Sequence, residues 1–100
     1  MSDKILTLLG FAAKAGKLSY GFDAVKTSLS QHKSKLVLTA SDISPKSQKE
    51  VLFFSDKYKT KAYVLAEYNM ETISHAVGKK CGIVSVNDSA FADGLLSVIK

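Results

Sequence analysis

The stretch that most constrains the fold is residues 35–45, which read Lys-Leu-Val-Leu-Thr-Ala-Ser-Asp-Ile-Ser-Pro. Residues 36–40 form an almost unbroken apolar run, which is typical of a strand covered on both faces of an α/β sheet. Ser44 and Pro45 predict a helix start, because serine accepts a hydrogen bond from the first turn and proline fits where no donor is needed. Since ligands tend to bind in the turns at the carboxyl ends of such strands, residues 41–43 lie at the predicted functional edge.

Apolar periodicity and capping residues predict four further helices and three further strands around this stretch. The predicted helices run from Ser2 or Asp3 to about Ala15, from about Phe22 to Gln31, from Pro45 to about Tyr58, from Asn69 to Gly78 and from residues 87–89 onward, and the predicted strands are residues 17–20, 36–40, 62–65 and 82–86. This alternation predicts a three-layer α/β/α sandwich around a small mixed four-stranded sheet. We expect residues 1–100 to form a single domain.

Helical spacing also predicts which side chains face the core. The predicted core-facing residues are Ile5, Leu8, Leu9 and Ala12 in the first helix, Phe22, Val25 and Leu29 in the second, Val51, Leu52 and Phe54 or Ser55 in the third, and Phe91, Leu95 and Val98 in the last.

The charge balance is compatible with a polyanionic partner. The formal net charge is +5, and all of the basic residues are lysines. Neutralised phosphates release counterions, so a basic protein gains affinity for nucleic acid. Lysine contacts phosphates as a point charge, whereas bidentate readout of guanine usually requires arginine. The composition therefore favours contact with the phosphate backbone.

Several classes of site are disfavoured by what the chain lacks. With a single cysteine, Cys81, it can form neither an internal disulfide nor a cysteine-rich metal site, and we expect that side chain to be buried. His32 and His75 have no partner at triad-like or metal-like spacing, and no phosphate-loop motif occurs. Without a secretory leader or a run of about 20 apolar residues, we expect a cytoplasmic protein. We also expect a monomer that needs no cofactor or metal.

Charge and free backbone groups come together at three predicted loop corners. The first joins Lys17 and Gly21 to the start of the second helix, the second is residues 41–43, and the third is residues 78–81. Helix starts present free N–H groups to phosphates, and neighbouring lysines add positive charge. One such corner would be interpreted as a solvated turn, but the three together favour binding.

A series of short motifs extends over essentially the whole chain. They are Ala-Gly-Lys-Leu at residues 15–18, Gly21, Val-Lys at 25–26, residues 35–42, Pro45, Ile73 and Gly-Lys at 78–79. In order and spacing this series resembles the kink-turn-binding ribosomal protein superfamily, which comprises the large-subunit proteins seven-Ae and thirty-e and their relatives, and within it the bacterial YlxQ-like branch. The resemblance implies an α/β/α sandwich that binds an RNA internal loop with a sharp backbone bend and sheared G·A pairs.

The positions that would read the G·A pairs depart from the pattern of this superfamily. Where kink-turn binders have asparagine, glutamate and lysine, this chain has Asp23, Ala24 and Thr27. An asparagine amide donates and accepts hydrogen bonds, whereas an ionised aspartate only accepts them and carries a charge that RNA repels. Lys26 stands one position before the expected lysine and faces a different direction on a helix. RNA binding is therefore expected, and specificity for the kink-turn stays open.

The sequence predicts a non-enzymatic RNA-binding protein that associates with ribosomal or other structured RNA. The predicted RNA-binding residues are Lys17, Gly21, Phe22, Asp23, Lys26, Thr27, Ser41, Asp42, Ile43, Gly78, Lys79 and Lys80. Phe22 also fits the core face of the second helix, so we expect it to be buried rather than stacked on a base. Two alternatives stay open: a protein-interaction module of the same fold that has lost specific RNA recognition, and a small enzyme that uses Asp42.

Overall fold

Helices and strands alternate along the chain in the computed structural model, which describes residues 3–99. The elements are α1 Lys4–Lys14, β1 Leu18–Tyr20, α2 Phe22–Ser30, β2 Leu36–Ala40, α3 Pro45–Lys57, β3 Ala62–Leu65, α4 Met70–Val77, β4 Ile83–Val86 and α5 Ser89–Ile99. The predicted order is confirmed, and most boundaries agree to within one or two residues.

Three of the helices begin at the side-chain caps that the sequence predicts. Asp3 Oδ1 accepts a hydrogen bond from Leu6 N at 3.2 Å, at the start of α1. Ser44 Oγ accepts one from Ser47 N at 3.2 Å, with Pro45 in the first turn of α3. Asn69 Oδ1 caps α4 in the same way. The alternative cap Ser2 lies outside the described residues.

The four strands form one mixed sheet in the order β1-β4-β2-β3. Strands β2 and β3 are parallel, whereas β4 is antiparallel to both of its neighbours. Because β4 runs against β2, the carboxyl end of β2 lies beside the start of β4, and Thr39 is paired with Ile83. The end of β1 reaches the same edge, since Tyr20 is paired with Val84. Segments far apart in sequence are thus brought to one edge of the sheet.

Helices cover both faces of the sheet and complete the predicted α/β/α sandwich. Leu38 and Val84 point into an apolar cluster that includes buried residues of α1, α4 and α5. On the other face, Val37 and Ile83 pack with Val25 of α2 and other buried residues of α2 and α3. Strand β2 is buried along its whole length, which confirms the prediction made from its apolar run.

Two of the predicted core-facing side chains are exposed instead. On α3, the buried residues are Val51 and Ser55, one turn apart, while Leu52 is 43 % exposed. On α5, Ala92 and Leu95 are buried, and Val98 is turned to solvent. Each helix covers the sheet with a narrow stripe, so a neighbour rotated by about 100° from that stripe leaves the core. Within residues 3–99, no helix is long and apolar enough to cross a membrane.

Candidate nucleic-acid interface

The start of α2, the turn after β2 and the loop before β4 meet at one edge of the sheet. Gly21 N donates a hydrogen bond to Ile83 O at 2.9 Å, and Ala40 N donates one to Gly82 O at 2.8 Å. The turn after β2 and the loop before β4 are packed closely together, since a Cβ added to Gly82 would lie only 2.8 Å from Ile43 Cγ2. We call this edge the corner surface, and it comprises Gly21, Phe22, Asp23, Thr27, Ser41, Asp42, Ile43, Gly78, Lys79 and Lys80.

Gly21 gives the corner surface its sharp entry into α2. Its backbone has φ 86° and ψ 163°, a conformation that is essentially restricted to glycine. A Cβ at this position would meet no atom within 4 Å, so the requirement for glycine comes from the backbone and not from crowding. No side chain caps the first turn of α2 within the described chain. Its N–H groups are therefore available to an anionic ligand.

The side chains of the first turn and a half of α2 offer hydrogen-bond acceptors to a ligand. Asp23 and Ala24 are both exposed. Thr27 is exposed as well, but its hydroxyl donates to Asp23 O at 3.0 Å, so its proton is already engaged within the helix. The Asp23 carboxylate interacts favourably with the positive N-terminal end of α2, and it competes with an incoming phosphate for that position. This part of the surface is suited to meet donors such as base N–H groups.

Phe22 and Lys26 are directed toward α3. The Phe22 ring is half-buried, and its centroid lies 6.0 Å from that of Phe54. Lys26 Nζ lies 4.6 Å from the Phe54 ring centroid, which is a cation–π distance. Phe22 thus has the packing role that the sequence predicts, and Lys26 holds its charge over the junction of α2 and α3, beside the corner surface.

Asp42 is engaged as a helix cap. Its Oδ1 accepts a hydrogen bond from Met70 N at 2.8 Å, at the first residue of α4. The neighbouring Ser41 N donates to Tyr68 O at 2.8 Å, which ties the turn after β2 to the chain before α4. Among residues 3–99, no group of three or more His, Cys, Asp or Glu side chains is arranged to hold a metal ion. The geometry around Asp42 is that of a structural turn.

The loop between α4 and β4 presents two lysines on a fixed backbone. Gly78 adopts a left-handed conformation with φ 76° and ends α4. The Ser74 hydroxyl accepts from Cys81 N at 3.0 Å and lies 3.1 Å from Cys81 O, which closes the loop around Lys79 and Lys80. Both lysines are exposed, and they line a shallow groove of about 290 Å³.

Lys79 links this loop to the end of β1. Its Nζ lies 5.1 Å from the centroid of the Tyr20 ring, next to Gly21. Burial raises the pKa of the Tyr20 hydroxyl, and the nearby Cys81 adds to the rise. Cys81 is buried as predicted, and burial raises the pKa of its thiol while Lys79 acts in the opposite direction. Both groups stay neutral near pH 7, so Lys79 and Lys80 determine the charge of this loop.

Lys17 lies at the other end of β1 and not at the corner surface. Its carbonyl oxygen accepts a hydrogen bond from Asn87 N at 2.8 Å, beyond the end of β4. The three residues of β1 separate it from Gly21, and four residue steps of extended chain span about 13 Å. The prediction that Lys17 and Gly21 share one corner is therefore wrong, because β1, which was itself predicted over residues 17–20, holds them apart.

A polar network beneath α2 was not predicted from the sequence. Ser19 Oγ lies 2.7 Å from Ser28 Oγ and accepts from Asn87 Nδ2 at 2.8 Å. Ser85 Oγ lies 2.7 Å from Ser34 Oγ and 2.6 Å from Asn87 Oδ1. The network joins α2 to β1 and β4 and so holds the helix that carries Asp23. The signal for this network in the sequence is a serine within each of two short apolar strands, Ser19 in β1 and Ser85 in β4.

Comparison with known proteins gives a consistent result along almost the whole chain. Residues 3–95 match the model of the ribosomal protein L7Ae/L30e/S12e/Gadd45 family. The large ribosomal subunit protein eL30 of Candida glabrata is 34% identical over 92 residues, which cover 90% of this chain and 87% of that protein. The RNA-binding protein YlxQ of Bacillus subtilis is 32% identical over 93 residues, which cover 92% and 91%. A solved structure from Bacillus halodurans, described as a protein with unknown function, is 28% identical with a TM-score of 0.92 and covers 98% of both chains.

Proposed function

Because the chain belongs to the ribosomal protein L7Ae/L30e/S12e/Gadd45 family, we propose that it is a non-enzymatic protein that binds ribosomal or other structured RNA. The proposal treats residues 1–100 as one RNA-binding domain and the corner surface as its binding site. The observation that carries it is the meeting of an uncapped helix start, two exposed lysines and an exposed carboxylate at one edge of the sheet. Relatives over 90% of the chain are named as ribosomal and RNA-binding proteins.

The corner surface offers three kinds of contact to a folded RNA. The free N–H groups at the start of α2 suit a phosphate oxygen. Lys79 and Lys80 add point charges for the backbone on the far side of the bound segment. Asp23 accepts hydrogen bonds, and guanine N1 and N2 are donors of the kind that it would meet. A bent RNA that turns a guanine edge toward Asp23 while keeping its phosphates near the lysines satisfies all three.

The choice of RNA depends mainly on Asp23, Ala24 and Thr27. Ala24 has no polar side-chain atom, and the Thr27 hydroxyl proton is already donated to the Asp23 carbonyl. Two of the three positions thus contribute little to base recognition, so we propose that kink-turn RNA binds in the bent form with reduced affinity. The ribosomal relatives also favour association with the ribosome and a cytoplasmic location, and we propose that the protein acts as a monomer.

A second candidate is a protein-interaction module of the same fold. The observation that favours it is an exposed apolar pair on α3, where Phe53 is 64 % and Leu52 is 43 % exposed. These side chains lie on the outer layer and not at the corner surface. The lysines at the corner surface favour RNA for that edge, so the two functions would use different faces.

A salt titration of a double variant tests the site. We expect Lys79→Ala/Lys80→Ala to weaken RNA binding and to lower the slope of log affinity against log salt by roughly one unit for each lost phosphate contact. The matched control is Lys4→Ala/Lys49→Ala, which removes the same charge from exposed positions on α1 and α3. If both double variants keep the slope of the unmodified protein, the corner surface is not where RNA binds.

A further inference from the structure

Five exposed lysines line the edge of the sheet opposite the corner surface. We call this edge the lysine edge, and it comprises Lys17, Lys33, Lys35, Lys59 and Lys61. Backbone hydrogen bonds fix three of them at the ends of the strands. Asn87 N donates to Lys17 O at 2.8 Å, Lys35 N donates to Val86 O at 2.8 Å, and Val37 N donates to Lys61 O at 2.9 Å.

The lysines are arranged in a line along this edge. Lys17 precedes β1, Lys35 precedes β2 and Lys61 precedes β3, and the sheet order places β4 between β1 and β2. Three strand spacings therefore separate the two outer lysines, a distance of about 14 Å. The five residues of β2 lie between Lys35 and Ser41, which separates this line from the corner surface by about 20 Å along the strand, so one phosphate cannot contact both edges.

Backbone conformation provides a second observation at the same edge. Helices α1 and α4 are each followed by a glycine in the left-handed conformation, Gly16 and Gly78. After α2 and α3 that conformation is adopted by His32 at φ 59° and Lys59 at φ 56°. Residues with a Cβ are strained there, and glycine is not. At the lysine edge the chain thus carries a basic or ionisable side chain at positions where glycine would be less strained.

One reason for a basic residue in place of glycine is its favourable interaction with the C-terminal end of a helix. Helices α1, α2 and α3 end near this edge, and cations near a helix C-terminus are stabilising. That effect acts on Lys33 and Lys59, which lie within three residues of the ends of α2 and α3. It does not account for Lys35 and Lys61, which stand immediately before strands.

We propose that the lysine edge is a second RNA-binding surface, which contacts the phosphate backbone of a duplex. Lysines at the starts of neighbouring strands are able to contact several phosphates of one backbone, and lysine makes such contacts without reading sequence. The exposed large apolar side chains of the described chain are Phe11, Leu52, Phe53, Val64 and Val98, and none belongs to the turns that carry these lysines. This arrangement favours a nucleic-acid backbone over an acidic protein, whose interface would include an apolar centre. The protein would then hold two RNA segments on opposite edges of its sheet.

The test measures binding to an uninterrupted A-form RNA duplex in the full chain with Lys79→Gln/Lys80→Gln as the parent. That parent removes the lysine charges of the corner surface, so the result does not depend on the function proposed for it. Adding Lys35→Gln/Lys61→Gln is expected to lower the salt slope by roughly two units, one for each lost contact. Adding Lys4→Gln/Lys49→Gln instead is the control and should change the slope much less.

A single substitution separates binding from folding. Lys59→Gly is expected to weaken duplex binding and to leave the unfolding midpoint unchanged or higher, because glycine relieves the left-handed backbone. Equal slopes in the two combined variants would overturn the proposal. Tighter binding of the parent to a polyglutamate chain than to the duplex would also overturn it, in favour of an acidic protein partner.

Discussion

Asp23 determines the chemistry of the corner surface at the scale of a single residue. It stands in the first turn of α2, where its carboxylate is exposed and favoured by the helix end. The same charge repels phosphates, and the ionised group cannot donate a hydrogen bond. At the site proposed above, recognition of RNA therefore depends on donors that the RNA supplies.

Replacement of this carboxylate by an amide should improve binding to bent RNA. We expect Asp23→Asn to raise affinity for a kink-turn duplex by about 10-fold, because the amide adds a donor and removes a like charge. Asp93→Asn on α5 is the matched control, since it makes the same charge change at an exposed site on another helix. Equal gains in both variants, measured by titration, would mean that only net charge matters, and a loss in Asp23→Asn would contradict the assignment.

At the scale of elements, local chemistry predicted most of the fold. The caps Asp3, Ser44 and Asn69 and the apolar run of β2 act over a few residues, so they can be identified in the sequence. The misplacement of Lys17 had another cause. The predicted extended segment 17–20 by itself places Lys17 and Gly21 at opposite ends, whereas the pairing of β1 with β4, more than 60 positions away, has no local pattern in the sequence.

The same distinction applies to the candidate site. Gly21, residues 41–43 and residues 78–81 were predicted in three loop corners, and the mixed sheet brings these segments to one edge. The capping of α4 by Asp42 and the network around Asn87 were not predicted, because each joins segments that are distant in sequence. The residue types were enough to identify the polar groups of the site, but their hydrogen-bond partners became known only from the tertiary structure.

A hydrogen bond between two elements makes stability depend on pH in the alkaline range. The Tyr68 hydroxyl donates to the Asp3 carboxylate at 2.7 Å, which joins the turn before α4 to the start of α1. This bond raises the pKa of Tyr68 to about 12 from its usual value of 10.0. A raised pKa in the folded state means that the contribution is complete below pH 10 and is lost as the pH rises from 10 toward 12.

Denaturant unfolding at a series of pH values checks this link. The unmodified protein should lose more stability between about pH 10 and 12 than Tyr68→Phe, which cannot make the bond. Tyr63→Phe is the matched control, because it removes another half-buried tyrosine hydroxyl. Identical pH profiles for the unmodified protein and Tyr68→Phe would show that the bond with Asp3 does not form in solution.

At the scale of the whole molecule, the sheet separates two charged edges. The corner surface combines lysines with a carboxylate and free N–H groups, whereas the residues that define the lysine edge are all lysines. The first arrangement can distinguish RNA shapes, because donors, acceptors and charges must all be satisfied together. The second is expected to bind phosphate backbones with little selectivity and with strong dependence on salt.

The most direct test of the central claim is a titration of the unmodified protein with a kink-turn RNA duplex and a matched unkinked duplex, each at low and high salt. Binding through the corner surface predicts a preference for the kinked RNA that persists at high salt, because hydrogen bonds to the bases are screened less than contacts with phosphates. Equal binding to both duplexes that disappears at high salt, or no binding to either, would contradict the account.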